Sequence, residues 1–131
     1  MKNKILIVDD EKLMRVSLED KLTKEGYAVN SLSNAVEGIK LLQSTNFDAV
    51  ITDLRLPRMD GIDFLREIKK AFPDTVVIIM TAYGSIENAV TAMKEGAYDY
   101  VTKPFPLEEL TIKLQKALKH KDTIAENIKL K

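Results

Sequence analysis

Ile5-Leu6-Ile7-Val8-Asp9-Asp10-Glu11 sets four apolar residues directly against three acids. So short a run, rich in β-branched residues and without alternation, reads as a strand covered on both faces, as in a parallel sheet. Ala49-Val50-Ile51 and Val76-Val77-Ile78-Ile79-Met80 have the same character. Tyr27-Ala28-Val29-Asn30-Ser31 and Tyr98-Asp99-Tyr100-Val101 are more mixed, as edge strands should be. Helical spacing fills the intervals. Met14, Leu18 and Leu22 share a face, and Gly26 supplies a left-handed stop. Asn34 with Glu37 forms an N-cap pair ahead of Ile39 and Leu42. Ile62, Leu65, Ile68 and Phe72 make the next stripe, ended by Pro73. Ser85 is expected to cap a short helix through Ala89, Val90 and Met93, read as core, with Gly96 closing it. Pro106 suits the first turn of a last helix.

Five βα units predict an α/β fold, a doubly wound five-stranded parallel sheet with five helices and right-handed crossovers. Three apolar central strands between two mixed ones favour the order 2-1-3-4-5. A length of 131 residues fits one domain. The 20 Lys and Arg balance the 20 Asp and Glu, so no global field draws the chain to nucleic acid or to anionic membrane. There is no Cys, which excludes disulfides and thiolate chemistry, and His120, the only His, cannot build a relay alone. Ile5 to Val8 is too short for a signal peptide, and no apolar run approaches the roughly 20 residues of a membrane span. The expected address is the cytosol.

Ligands of such sheets bind beyond the carboxyl ends of the strands, where strand order reverses. The residues after each apolar run therefore carry the functional reading. Asp9, Asp10 and Glu11 follow the first run, Asp53 the third, Thr81 the fourth, and Lys103 with Pro104 the fifth. Ser31-Leu32-Ser33 after the second contributes nothing. Three carboxylates on one rim repel one another, and Lys103 offsets only one charge. A hard divalent ion fits that deficit, and a site of a few carboxylates plus water favours Mg²⁺ over a Ca²⁺ cage. With Asp9, Asp10 and Asp53 as metal ligands, a free oxygen of Asp53 can attack phosphorus, and Lys103 and Thr81 can receive the charge that develops. Each residue alone has an ordinary reading, a solvated turn, a cap or a surface lysine. Their joint placement at four strand ends is much harder to obtain by chance.

These motifs resemble the receiver domain of response regulators from two-component signalling, over residues 4 to 118. The resemblance rests on Ile5-Leu6-Ile7-Val8-Asp9-Asp10-Glu11, Asp53-Leu54-Arg55-Leu56-Pro57-Arg58-Met59-Asp60-Gly61, Thr81-Ala82, and Tyr100-Val101-Thr102-Lys103-Pro104-Phe105. It implies a flavodoxin-like fold with Asp53 as phosphoacceptor and a sensor histidine kinase as donor. It implies Asp10 and Asp53 as direct Mg²⁺ ligands, Asp9 through metal-bound water, and the backbone carbonyl of Arg55 as a further ligand. Thr81 would be the switch hydroxyl and Tyr100 the rotating aromatic. Lys103 would contact the phosphoryl oxygens beside a cis Lys103–Pro104 bond. Arg55 and Tyr83 occupy positions that tune hydrolysis in the family. The stretches 81–90 and 93–105 are similar to receivers of the NtrC type, which control an AAA+ ATPase acting on sigma-54 polymerase. On that basis the chain is a signalling switch rather than a turnover enzyme, with a changing face made of helix 4, strand 5 and helix 5.

Leu107, Leu110, Leu114, Ala117, Lys121, Ile124 and Ile128 recur in steps of three and four. That is a heptad seam with one polar break, continuing where no sheet is left to cover. Residues 1–119 are therefore read as the receiver and 120–131 as a helical extension or linker, forming a dimeric coiled coil or else a frayed Lys-rich tail. The chain ends where an output domain would begin, so the expectation is a fragment or a free-standing receiver. Three rival readings are weaker. A haloacid-dehalogenase-type hydrolase needs nucleophile and acid two residues apart after the first strand, where Asp9-Asp10-Glu11-Lys12 stands. A flavin or nucleotide module needs a Gly/Ser/Thr-rich phosphate loop there. A phosphorylation-independent interaction module is disfavoured because no site residue is missing.

Overall fold

The computed structural model describes residues 2–82 and 86–130, with side chains described through Lys121. Strands and helices alternate along the chain: β1 (Lys4–Val8), α1 (Lys12–Lys24), β2 (Ala28–Leu32), α2 (Ala35–Ser44), β3 (Ala49–Asp53), α3 (Gly61–Ala71), β4 (Val76–Ala82), α4 (Ile86–Lys94), β5 (Asp99–Lys103) and α5 (Leu107–Leu130). The sheet runs β2-β1-β3-β4-β5, with every neighbouring pair parallel. The predicted order is the observed one.

Both faces of the central strands are dry, which is why their sequences do not alternate. Ile5 and Ile7 of β1 point to one side, into a core shared with Leu18 and Leu22 of α1 and Leu110, Leu114 and Ala117 of α5. Leu6 and Val8 point to the other, into a second core shared with Ala35 and Leu42 of α2, Phe64, Leu65 and Ile68 of α3 and Ala92 of α4. Fully burying a side chain of this size contributes about 1.5–3 kcal/mol. The two cores together hold the strand ends in fixed register. Burial separates the edge strands from the rest, since β2 is half-exposed while all of β3 is buried.

Local signals behave as their chemistry dictates. Asn34 caps α2 by accepting the Glu37 N–H at 2.9 Å. Gly26 and Gly96 take φ of 99° and 108°, which side chains with a Cβ rarely adopt. Pro73 follows α3 after one intervening residue, and Pro106 stands immediately before α5.

Two expectations need correction. The stripe read on α3 passed over Phe64, which is completely buried, whereas Ile62 and Phe72 are only partly so. On α4, Ala89 is buried as expected but Val90 and Met93 are 47% and 40% exposed. A short helix over one edge of the sheet has room to bury only one line of residues, here Ala89 and Ala92. The expected cap Ser85 lies outside the described residues, as do Tyr83 and the side chains of Ile124 and Ile128. The nearer half of the heptad seam, Leu110, Leu114 and Ala117, packs on the sheet.

Candidate functional site

Three carboxylates meet at the carboxyl end of the sheet. Asp9 and Asp10 leave β1, Asp53 ends β3, and each offers an oxygen within 4.8 Å of the others. Asp9 is fully buried and Asp53 8% exposed, while Asp10 faces solvent. Backbone contacts fix the loop that carries them. The Asp9 N–H donates to the Leu32 carbonyl at 3.1 Å, and Asp9 Oδ1 accepts the Glu11 N–H at 2.9 Å. Arg15 reaches back from α1 to donate to the Asp9 carbonyl at 2.7 Å. The strand judged to contribute nothing thus supplies a backbone acceptor, though no side chain.

Asp53 is held at both oxygens. Oδ1 accepts the Arg55 N–H at 3.0 Å, and Oδ2 accepts Lys103 Nζ at 2.7 Å. Gly61 makes this position possible. Its N–H donates to the Leu54 carbonyl at 2.9 Å, and a Cβ there would come within 2.4 Å of Leu54 Cα and 2.6 Å of the Asp53 carbonyl oxygen. No larger residue lets α3 press so closely on the end of β3. Asp10 shares an open cleft of about 530 Å³ with Arg55, Arg58 and Asp60. Arg58 takes a φ of 74° in that loop, a conformation that costs about 1–2 kcal/mol outside glycine.

Lys103 bridges the cluster from β5, reaching Asp9 Oδ2 at 3.0 Å, Asp53 Oδ2 at 2.7 Å and Glu11 Oε1 at 3.3 Å. Burial disfavours its charge, but hydrogen bonds and attraction from Asp53 and Asp9 outweigh that and hold its pKa above the ordinary lysine value. Burial also pushes the Asp9 carboxyl up, against the opposing pull of the Glu11 N–H and Lys103, and with the nearby Asp53 charge adding to the rise. One ammonium therefore does not neutralise the site. The donor set fits a hard cation, since three carboxylate oxygens converge and the most buried of them resists ionising without one. The bond between Lys103 and Pro104 is cis.

Thr81 ends up beside the cluster without joining it. Its hydroxyl donates to the Val101 carbonyl at 3.4 Å, across the β4–β5 pair. Tyr100 stands on β5, 36% exposed, with Lys113 Nζ of α5 5.5 Å from its ring centre. The sequence reading did not find Arg15 or the reach of Glu11 to Lys103. A basic residue one helical turn after an acidic loop is a signal for the first, though a common one.

The sequence model of one family, described as "Response regulator receiver domain", matches residues 5–115. The chain belongs to that family. The Regulatory protein AtoC of Escherichia coli (strain K12) is 42% identical over 116 residues, covering 88% of this receiver chain and 25% of AtoC. The DNA-binding transcriptional regulator NtrC of Proteus hauseri is 37% identical over 119 residues, covering 91% and 25% respectively. A crystal structure of NtrX from Brucella abortus superposes with a TM-score of 0.95 at 32% identity, covering 100% of this chain and 30% of that one. The receiver chain thus spans about a quarter of the length of the two curated relatives. Their names agree with the NtrC-type resemblance of the stretches 81–90 and 93–105. Among the described residues no helix is long and apolar enough to cross a membrane.

Proposed function

We propose that this receiver domain is a phosphorylation-activated switch that accepts a phosphoryl group on Asp53. The carrying observation is the Asp53 carboxylate itself, anchored at Oδ1 by the Arg55 N–H and at Oδ2 by Lys103, beside two further acids at the end of the central strand. A lone pair on an Asp53 oxygen attacks phosphorus, and an O–P bond forms as the donor's bond to phosphorus breaks. From a phosphohistidine the imidazole nitrogen leaves with the electron pair, and from acetyl phosphate it is acetate. Mg²⁺, when bound by Asp9, Asp10, Asp53 and the backbone carbonyl of Arg55, supplies positive charge for the phosphoryl oxygens. Lys103 is already close enough to Asp53 to follow those oxygens with its ammonium. The product is an acyl phosphate, and the domain acts on itself rather than turning over a substrate.

The signal leaves through Thr81 and Tyr100. The Thr81 hydroxyl, now on the Val101 carbonyl, would turn to the new oxygens, and Tyr100 would rotate toward the space it leaves. The face around α4, β5 and α5 exposes Ile86, Val90, Met93, Tyr98, Tyr100 and Ile112, an apolar surface suited to a homodimer. In this reading the receiver works in the cytoplasm, and its partners are a sensor histidine kinase and an output domain, of the AAA+ transcription-activating type by analogy with the NtrC-like relatives. Residues 1–119 are then the receiver and 120–131 a helical extension or linker toward the output domain, pairing with its counterpart in the dimer. Truncation after Lys119 is expected to weaken self-association of the unphosphorylated protein; unchanged sedimentation would remove the coiled-coil reading.

The deciding test is intact mass after incubation with acetyl phosphate, with and without Mg²⁺, on wild type and Asp53→Asn. A single phosphoryl adduct that needs the metal and vanishes in the variant is expected. No adduct on a folded, Mg²⁺-loaded wild type would point instead to a phosphorylation-independent interaction module.

A further inference from the structure

Tyr100 is tied down at three points. Its N–H donates to Asp99 Oδ1 at 2.7 Å, and its carbonyl accepts Lys113 Nζ from α5 at 2.6 Å. The same ammonium sits 5.5 Å from the centre of the Tyr100 ring. Lys113 is in turn steadied by Asp99 Oδ1 at 3.4 Å and by Glu109 Oε2 at 3.7 Å, one turn earlier on its own helix. Two acids and a carbonyl thus fix an ammonium beside an aromatic ring that is 36% exposed.

We infer that Lys113 is a positioning residue that holds Tyr100 in its outward state and so sets how readily the switch fires. This rests on the switch reading of Asp53, Thr81 and Tyr100 given above. The two contacts respond differently when the ring turns inward. The bond to the Tyr100 carbonyl belongs to the backbone and can persist, whereas the contact between ammonium and ring must be lost. Lys113 therefore stabilises one state more than the other, and only such a difference moves an equilibrium. A cation over a half-exposed ring favours the outward state by a factor of about three, the lower end of what such contacts supply. By reciprocity the same factor must be overcome by a phosphoryl group, or its mimic, binding at Asp53. Arginine in place of lysine keeps the cation, the donor to the carbonyl and the ring contact. Methionine keeps the length and apolar stem and loses all three.

The test compares wild type, Lys113→Met and Lys113→Arg in the full chain, labelled with fluorotyrosine and titrated with beryllofluoride in the presence of Mg²⁺. The Tyr100 fluorine resonance is assigned by its absence in Tyr100→Phe. In Lys113→Met the ligand-free resonance is expected to move toward its beryllofluoride-bound position. The beryllofluoride midpoint should fall by about threefold while Mg²⁺ affinity alone stays unchanged. Lys113→Arg is expected to behave as wild type. A wild-type Tyr100 resonance that responds to beryllofluoride, with Lys113→Met identical in position and midpoint, overturns the role of Lys113 and leaves the switch standing. A Lys113→Arg variant that matches Lys113→Met overturns it too, because the cation would then not be the cause. A wild-type resonance unmoved at saturation overturns the switch reading itself, and the inference with it.

Discussion

Lys103 at the carboxyl end of the sheet faces three carboxylates, whereas Lys69 near the amino end donates to the carbonyls of Pro73 and Thr75, both at 2.9 Å. Burial opposes the charge of both. At Lys103 the acids outweigh that opposition, and the pKa lies above the ordinary value. At Lys69 they do not; Asp74 helps, Lys121 hinders, and the pKa lies below it. A carbonyl satisfies a donor without matching its charge, so Lys69 serves packing, filling one wall of a cleft of about 500 Å³ with Gly96, Tyr98 and His120. The carboxyl end instead concentrates charge that folding does not need. Charge kept where it opposes stability is the mark of a chemical site.

Lys103→Ala should break this contrast most completely. The domain is expected to keep Mg²⁺ binding, tightened on the order of tenfold as one positive charge leaves the cluster. It should still take up a phosphoryl group, yet show no phosphorylation-dependent change in assembly by sedimentation. Normal coupling would sink the role assigned to Lys103. The two glycines sharpen the contrast next. Gly61→Ala drives a Cβ into backbone and should cost about 3 kcal/mol in denaturant unfolding, with loss of the phosphoryl adduct. Gly96→Ala meets only the flexible stem of Lys69, at 3.2 Å, so its cost is the positive φ, about 1 kcal/mol, with phosphorylation untouched. Equal costs would mean that the loop before Gly61 gives way more easily than its contacts suggest.

The smallest effects are in pH dependence, and they have opposite signs. The folded Asp9 pKa is raised, so without metal the folded state keeps a proton that the unfolded chain has lost. Stability should therefore fall as pH climbs from the ordinary value of 3.8 through the folded one, and Asp9→Asn should remove that fall. The folded Lys69 pKa is lowered, so stability should rise as pH climbs from that value toward 10.5, and Lys69→Met should remove the rise. Thermal melts of each variant against wild type across these windows read both slopes. A Lys69→Met variant that also slows phosphorylation would tie the two ends of the sheet together.

The acids, the lysine and the threonine were legible because a parallel sheet delivers whatever follows each strand to one rim, and strand ends can be found from apolar runs. Sheet order was legible because covered strands and edge strands differ in composition. What escaped depends on reach between elements distant in sequence. Arg15 finds the Asp9 carbonyl, and Lys113 finds Tyr100, only once helices and strands are packed. Val90 and Met93 fell on the correct helix, but spacing alone does not say how wide a stripe the sheet can cover. Phe64 was lost because a stripe drawn through every third or fourth residue left its neighbour Leu65 to stand for both.

The continuity of α5 has a mechanical meaning. Its 24 residues make a shaft about 36 Å long, clamped over its first half and carrying twelve residues beyond Leu118. A tilt of about 10° at its first turn would carry its far end through about 6 Å. Rotation travels along it as surely as tilt. One residue added to the shaft turns everything after it by about 100°, while seven return it almost to its starting phase. A group joined to such a shaft would be geared to Pro106, its phase set by the number of residues between them.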